Sequence, residues 1–197
     1  MPIYTSMKSF ISYILLTLVS TYNLINTEVI FTNRPIYISG QISEDQRDII
    51  TKTVETYNKP QCDINICGLL YPHLYIINDK FVDKTQIIKN HIRIQYSPDP
   101  RMGYTELGAI LMSDGYLYIT NSTISFNSKL NGNSLGCVIL HELGHTQGLM
   151  HSQESGSIMN YTGYKDELGN ILESPECTLS LDDIIGLISF YSGKYIY

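Results

Sequence analysis

The sequence predicts an α+β domain, and three observations predict it. Short apolar runs between residues 28 and 39, then alternating apolar and polar stretches between residues 73 and 120, carry the signature of strands. Helix-start signals stand at Ser43 and Ser180, and a third helical stretch begins near residue 134. The resulting order is strand, helix, several strands, helix, irregular loop, helix, which is that of a mixed α+β domain. At 197 residues, 43% hydrophobic and 16% charged, the chain is the size of one domain with its own core.

Taken in order, EVIFT (28–32) and PIYIS (35–39) predict the first strand. Ser43 with Gln46 reads as a capping box, opening a helix through about Asn58. Its Ile49, Ile50, Val54 and Tyr57 share one face, and Pro60 is expected to stop it. HLYIIN (73–78), HIRIQY (91–96), GAILM (108–112) and YLYIT (116–120) predict further strands of one sheet. Turn pairs such as Asp99-Pro100 and Asp114-Gly115 separate them. A second helix is expected from about Ser134 through His145, and Ser180 with Asp183 caps a third, LDDIIGLISFYSG.

The net charge of −6 argues against nucleic acid as the main partner, and no Lys/Arg run suggests an anionic membrane surface. Residues 1–20 read as a secretory signal: Lys8, an apolar run from Phe10 to Val19, then the small residues Ser20 and Thr21. That run is too short to span a bilayer. The expectation is a secreted monomer with no integral span once the leader is removed. An uncleaved leader acting as a tether is the alternative, as is a buried N-terminal strand or helix. Cys62 with Cys67 and Cys137 with Cys177 make one of three possible disulfide pairings; in the cytosol all four would be buried thiols. The sequons at Asn121 and Asn160 matter only on a eukaryotic secretory route.

HELGHTQGLMH (141–151) holds three of the five histidines. Four residues apart on a helix, His141 and His145 present two imidazoles on one face. Gly148, just past the helix end, can take the left-handed conformation that turns the chain and returns His151 as a third ligand. Three nitrogens and an open fourth position describe a catalytic zinc rather than a structural one. Glu142, beside the first ligand, can take a proton from the water that attacks a carbonyl and pass it to the leaving amine. Cys137 lies a full turn from the ion and reads as a packed thiol or disulfide. A zinc-stabilised binding module without catalysis is the rival reading, and Glu142 argues against it.

These residues carry the long signature H-E-x-x-H-x-x-G-x-x-H, and the chain resembles the metzincin zinc endopeptidases. Ser152 directly after the third His, Met159 eight residues on, and the closing LSLDDIIGLISFYSG resemble the matrixin branch. The resemblance implies a metzincin fold over residues 28–197: a mixed twisted sheet, three helices, and one catalytic zinc in a cleft between upper and lower subdomains. It implies His141, His145 and His151 as ligands, Glu142 as general base, and Met159 as the Met-turn residue forming an apolar floor beneath them. It also implies a peptide or protein substrate bound in extended form, with YLYIT as the edge strand it pairs with. The Met159-Asn160-Tyr161 order departs from the matrixin pattern and is similar to the astacin and serralysin branches, where the Tyr approaches the zinc. Tyr161 is therefore a second catalytic candidate. The matrixin structural zinc and calcium loops have no match, so no second zinc is expected at His73 or His91. No propeptide is expected, and Pro60-Gln61-Cys62 lies within the domain rather than before it.

Overall fold

A parallel pair of strands needs a crossover, and the chain begins with one. Strand β1 (Arg34–Ile38) leads into α1 (Glu44–Cys62), which returns the chain to β2 (Leu74–Ile77), parallel to β1. Then follow β3 (Ile92–Ser97), β4 (Gly103–Leu111), β5 (Leu117–Asn127), α2 (Gly132–Thr146) and α3 (Leu181–Ser192). The computed structural model describes residues 34–63, 71–77, 91–97, 103–111, 117–160 and 177–192. The leader, the stretch 28–32 and Tyr161 lie outside them. Among the described residues no helix is long and apolar enough to cross a membrane.

The five strands form one sheet in the order β2-β1-β3-β5-β4, with β4 alone antiparallel. Register brings Ile38, Ile94 and Ile124 side by side on three adjacent strands, all buried. With Ile36, Ile92 and Phe126 they form an apolar sheet face, as period-2 alternation requires. Ile50, Val54 and Tyr57 of α1 and Leu135, Val138 and Ile139 of α2 belong to the same core. This is the mixed sheet with three helices that the α+β reading implied.

Four local expectations need correction. LYIT of the YLYIT stretch opens β5, a strand that stands between β3 and β4 in the sheet order, so the outermost place belongs to β4. β5 forms a hairpin with β4, and its other side pairs with β3 only from Ser122 onward, past YLYIT. β5 also continues far past Thr120, held by pairing with β3 and β4, and its buried residues there include the polar Ser122 and Ser125. Pro60 does not end α1. It removes only the N–H that would meet the Thr56 carbonyl, and Asp63 N–H still closes the last turn on Lys59 O at 2.9 Å.

The capping box is half formed. Ser43 accepts from Gln46 N–H, but the Gln46 amide donates to Ser128 O and Leu130 O at 3.1 and 2.8 Å. Tyr96 donates to Gln46 Oε1 at 2.6 Å, and Ser43 N–H donates to the Tyr96 hydroxyl. The side chain thus ties the start of α1 to the turn that precedes α2.

Arg34, 2% exposed, donates from Nη1 to Thr146 O and from Nη2 to Ser122 Oγ at 3.0 Å. The first strand thereby caps the carbonyl end of α2, where positive charge also suits the helix dipole. Burial lowers the Arg34 pKa from its ordinary value.

Cys137 of α2 is bonded to Cys177, the pairing that the sequence offered as one of three. Cys62 is also disulfide-bonded. The Cys137–Cys177 bond spans a sequence separation of 40 and fastens α2 to the segment that enters α3. Replacing both residues by Ala is expected to cost about 3–4 kcal/mol, the loop-entropy value for a loop of this length. Urea unfolding of the two proteins without reductant measures the difference.

Candidate metal centre and its base

Helix α2 ends in two hydrogen bonds that decide where the chain goes next. Gly148 N–H donates to His145 O at 3.0 Å and Leu149 N–H to Gly144 O at 3.1 Å, the paired bonds of a Schellman cap. Gly148 sits at φ +93°, and a Cβ there would also stand 2.7 Å from the Phe190 ring. No side chain is tolerated on either count. The turn brings His151 back to α2.

The ligand atoms of His141, His145 and His151 all lie within 4.8 Å of one another. His145 Nε2 and His151 Nε2 are 3.2 Å apart. Two nitrogens at about 2.0–2.1 Å from one tetrahedral zinc stand about 3.3–3.4 Å apart, so the pair fits. Orientation is fixed from behind: His141 Nδ1 bonds Ile158 O at 2.7 Å, and His145 Nδ1 bonds Leu149 O at 2.8 Å. A carbonyl accepts only, so each Nδ1 carries the proton and each Nε2 keeps its lone pair for a metal. Burial, the leading cause for all three imidazoles, lowers their pKa values and favours the neutral, ligating form.

Met159 is fully buried. A Cβ on Gly144 would collide with the Met159 sulfur, so this glycine admits the thioether close to the helix. Ser152 N–H donates to Met159 O at 2.8 Å, which joins the residue after the third His to the turn holding Met159. Asp183, fully buried on α3, accepts from Ser157 Oγ at 2.6 Å and Ile158 N–H at 3.0 Å. It also accepts from Ser180, as the cap reading required. The same carboxylate therefore caps α3 and steadies Ile158, the residue whose carbonyl orients His141.

Glu142 is 5% exposed and turns toward β4, where Thr105 donates to its Oε2 at 2.6 Å. Burial raises the Glu142 pKa, against the opposing pull of that hydrogen bond and of His145. Its proximity to the edge strand depends on Gly103, where a Cβ would lie 2.5 Å from Val138 and 3.3 Å from Glu142 Oε1.

The structure thus gathers His141, Glu142, His145, His151 and Met159 in one place. His73 and His91 stand apart from the group; His91 packs edge-on against Tyr37. Thr105, Asp183 as a brace, Gly144 and Arg34 escaped the sequence reading. Thr105 and Arg34 carry no local signal, since their partners are 37 and 112 residues away. Asp183 had one, but only for its cap.

The family model described as matrixin matches residues 95–192, from within β3 to the end of α3. The chain is a matrixin-like metzincin. Its fold is similar to that of metalloproteinase-II from Bacteroides fragilis, with a TM-score of 0.51 and 14% identity. That likeness covers 91% of this chain and 60% of the other. High choriolytic enzyme 1, a hatching enzyme zinc-protease from the medaka fish Oryzias latipes, superposes with a TM-score of 0.49 at 14% identity, over 87% of this chain and 94% of that one. No curated protein sequence matches the chain. The family is one of zinc metalloproteases, and the donor set of this matrixin-like metzincin suits zinc.

The imidazoles make metal-free stability sensitive to acid. Their folded pKa values lie below the ordinary 6.5, so between the two the unfolded chain binds more protons. Their contribution is complete above 6.5 and is lost as the pH falls through the folded values. Glu142, shifted upward, acts in the opposite sense but is one group against three. With chelator present, the denaturant midpoint is expected to be lower at about pH 5.5 than at about pH 7.5. His145→Gln should shrink that drop, and a midpoint unchanged between the two conditions would contradict the prediction.

Proposed function

We propose that this protein is a zinc-dependent endopeptidase that hydrolyses internal peptide bonds of a protein substrate bound in extended form. The observation that carries the reading is the convergence of three oriented imidazoles beside a buried carboxylate. In it His141, His145 and His151 hold the metal through Nε2. Bound there, zinc supplies Lewis acidity that polarises the scissile carbonyl and brings the pKa of water toward about 7.

Glu142 accepts the proton of the attacking water and donates it to the leaving amine. A carboxyl whose pKa is raised by burial suits both directions of that transfer. Met159 forms the apolar floor beneath the ligands. The exposed edge of β4, rather than β5, is where an extended substrate adds as a further strand. A module that only bound zinc would have no use for Glu142. The catalytic domain is proposed to span residues 28–197. Secretion is proposed from the leader, and the Cys137–Cys177 bond suits an oxidising compartment.

Two experiments test the reading. Purified protein should carry one zinc per chain; His145→Ala should lose it, and Glu142→Ala should keep it while losing cleavage of a peptide library by several orders of magnitude. A Glu142→Ala protein as active as the wild type would refute the mechanism. Tyr161 is proposed as a donor to the developing oxyanion, from its offset two residues beyond Met159. Tyr161→Phe should then keep zinc and KM and lower kcat by about 10²–10³. A kcat within about twofold of wild type would make Tyr161 a packing residue instead.

A further inference from the structure

We infer that Thr105 is the positioning residue for Glu142, so that the strand proposed to receive the substrate also sets the base. The inference rests on the peptidase reading above. Thr105 lies on β4, the antiparallel edge strand, opposite Ile124 of β5. Its hydroxyl stands 2.6 Å from Glu142 Oε2 and 3.2 Å from Glu142 main-chain O. A hydroxyl has one proton to donate, and the short contact to a carboxylate is the stronger of the two.

The two side chains differ in freedom. Glu142 has three rotatable bonds, and its carboxylate is held by the hydrogen bond from Thr105 on the neighbouring strand. Thr105 is β-branched and held on a paired strand, so its χ1 is stiff and the hydroxyl is set in advance. Gly103 completes the arrangement, because any side chain there would push the strand off Val138 and crowd Oε1. Pinning Oε2 leaves Oε1 as the oxygen able to take a proton from water. Carboxylate and substrate are then referred to one strand, and their spacing does not depend on the flexible Glu142 side chain alone.

A second possibility is that Thr105 only fastens β4 to α2 through the Glu142 carbonyl. Thr105→Val, which keeps shape and removes the hydroxyl, separates the two. If Thr105 positions the base, kcat should fall about 10–100-fold, the usual loss when a group that orients a site residue is removed. KM should stay within about twofold, and Thr105→Ser should recover most of the rate. Zinc content should not change. In metal-free unfolding, Thr105→Val and Glu142→Ala should be non-additive, with a coupling of roughly tenfold in the equilibrium constant.

Additive unfolding, or a kcat within about twofold of wild type, would overturn the role of Thr105 while leaving the peptidase reading intact. A wild-type protein that holds zinc yet cuts no peptide would end the peptidase reading and this role with it. The unfolding cycle would then report on the hydrogen bond alone.

Discussion

Two backbone carbonyls, those of Ile158 and Leu149, govern the centre. By accepting from Nδ1 of His141 and His145 they choose the tautomer, turn the rings, and leave both Nε2 atoms facing one point. Neither carbonyl belongs to a regular helix or strand, so each must be held by something else. Leu149 is fixed by the Schellman cap that ends α2, and Ile158 by Asp183 of α3. The geometry of the imidazoles is thus inherited from two loop peptides, and these in turn from a glycine and a buried carboxylate. A buried Asp that only capped a helix would be costly; accepting from four groups, it is a satisfied node.

The glycines divide according to what they must admit. Gly148 is required for its backbone angle as well as for the Phe190 ring beside it. Gly144 and Gly103 are required for space, one for the Met159 sulfur below α2 and one for the strand beside it. Between them the ligand helix is approached closely on two sides.

What could be read from sequence is what the chain encodes locally. Two ligands on one helix face, a glycine at its end and a third ligand three residues on lie within one short segment, and each has a signature in spacing or backbone preference. The helix starts at Ser43 and Ser180 were legible for the same reason. What was hidden is what depends on partners distant in the chain. Thr105 looks like any strand threonine until β4 is laid beside α2. YLYIT alternates as an edge strand would, but which strand is outermost is a property of the pairing on both sides. Pro60 misled because the rule against proline describes a helix interior, and here the helix ends only two residues later, at Cys62. Tyr161 and the segment after it lie outside the described residues, so its part remains a proposal from spacing.

The bond from Arg34 to Thr146 O joins residues 112 apart, the first described strand to the last turn of the ligand helix. A contact of that range cannot form until the intervening strands have found their order, because closing so long a loop is entropically costly without them. The metal ligands are neighbours in sequence, yet the end of the helix that presents them is finished by the strand that begins the sheet. Excised as a short peptide, the segment 141–151 would keep its three histidines and lose the frame that aims them. Zinc affinity is in that sense a property of the whole folded chain, and a gauge of how completely it has folded.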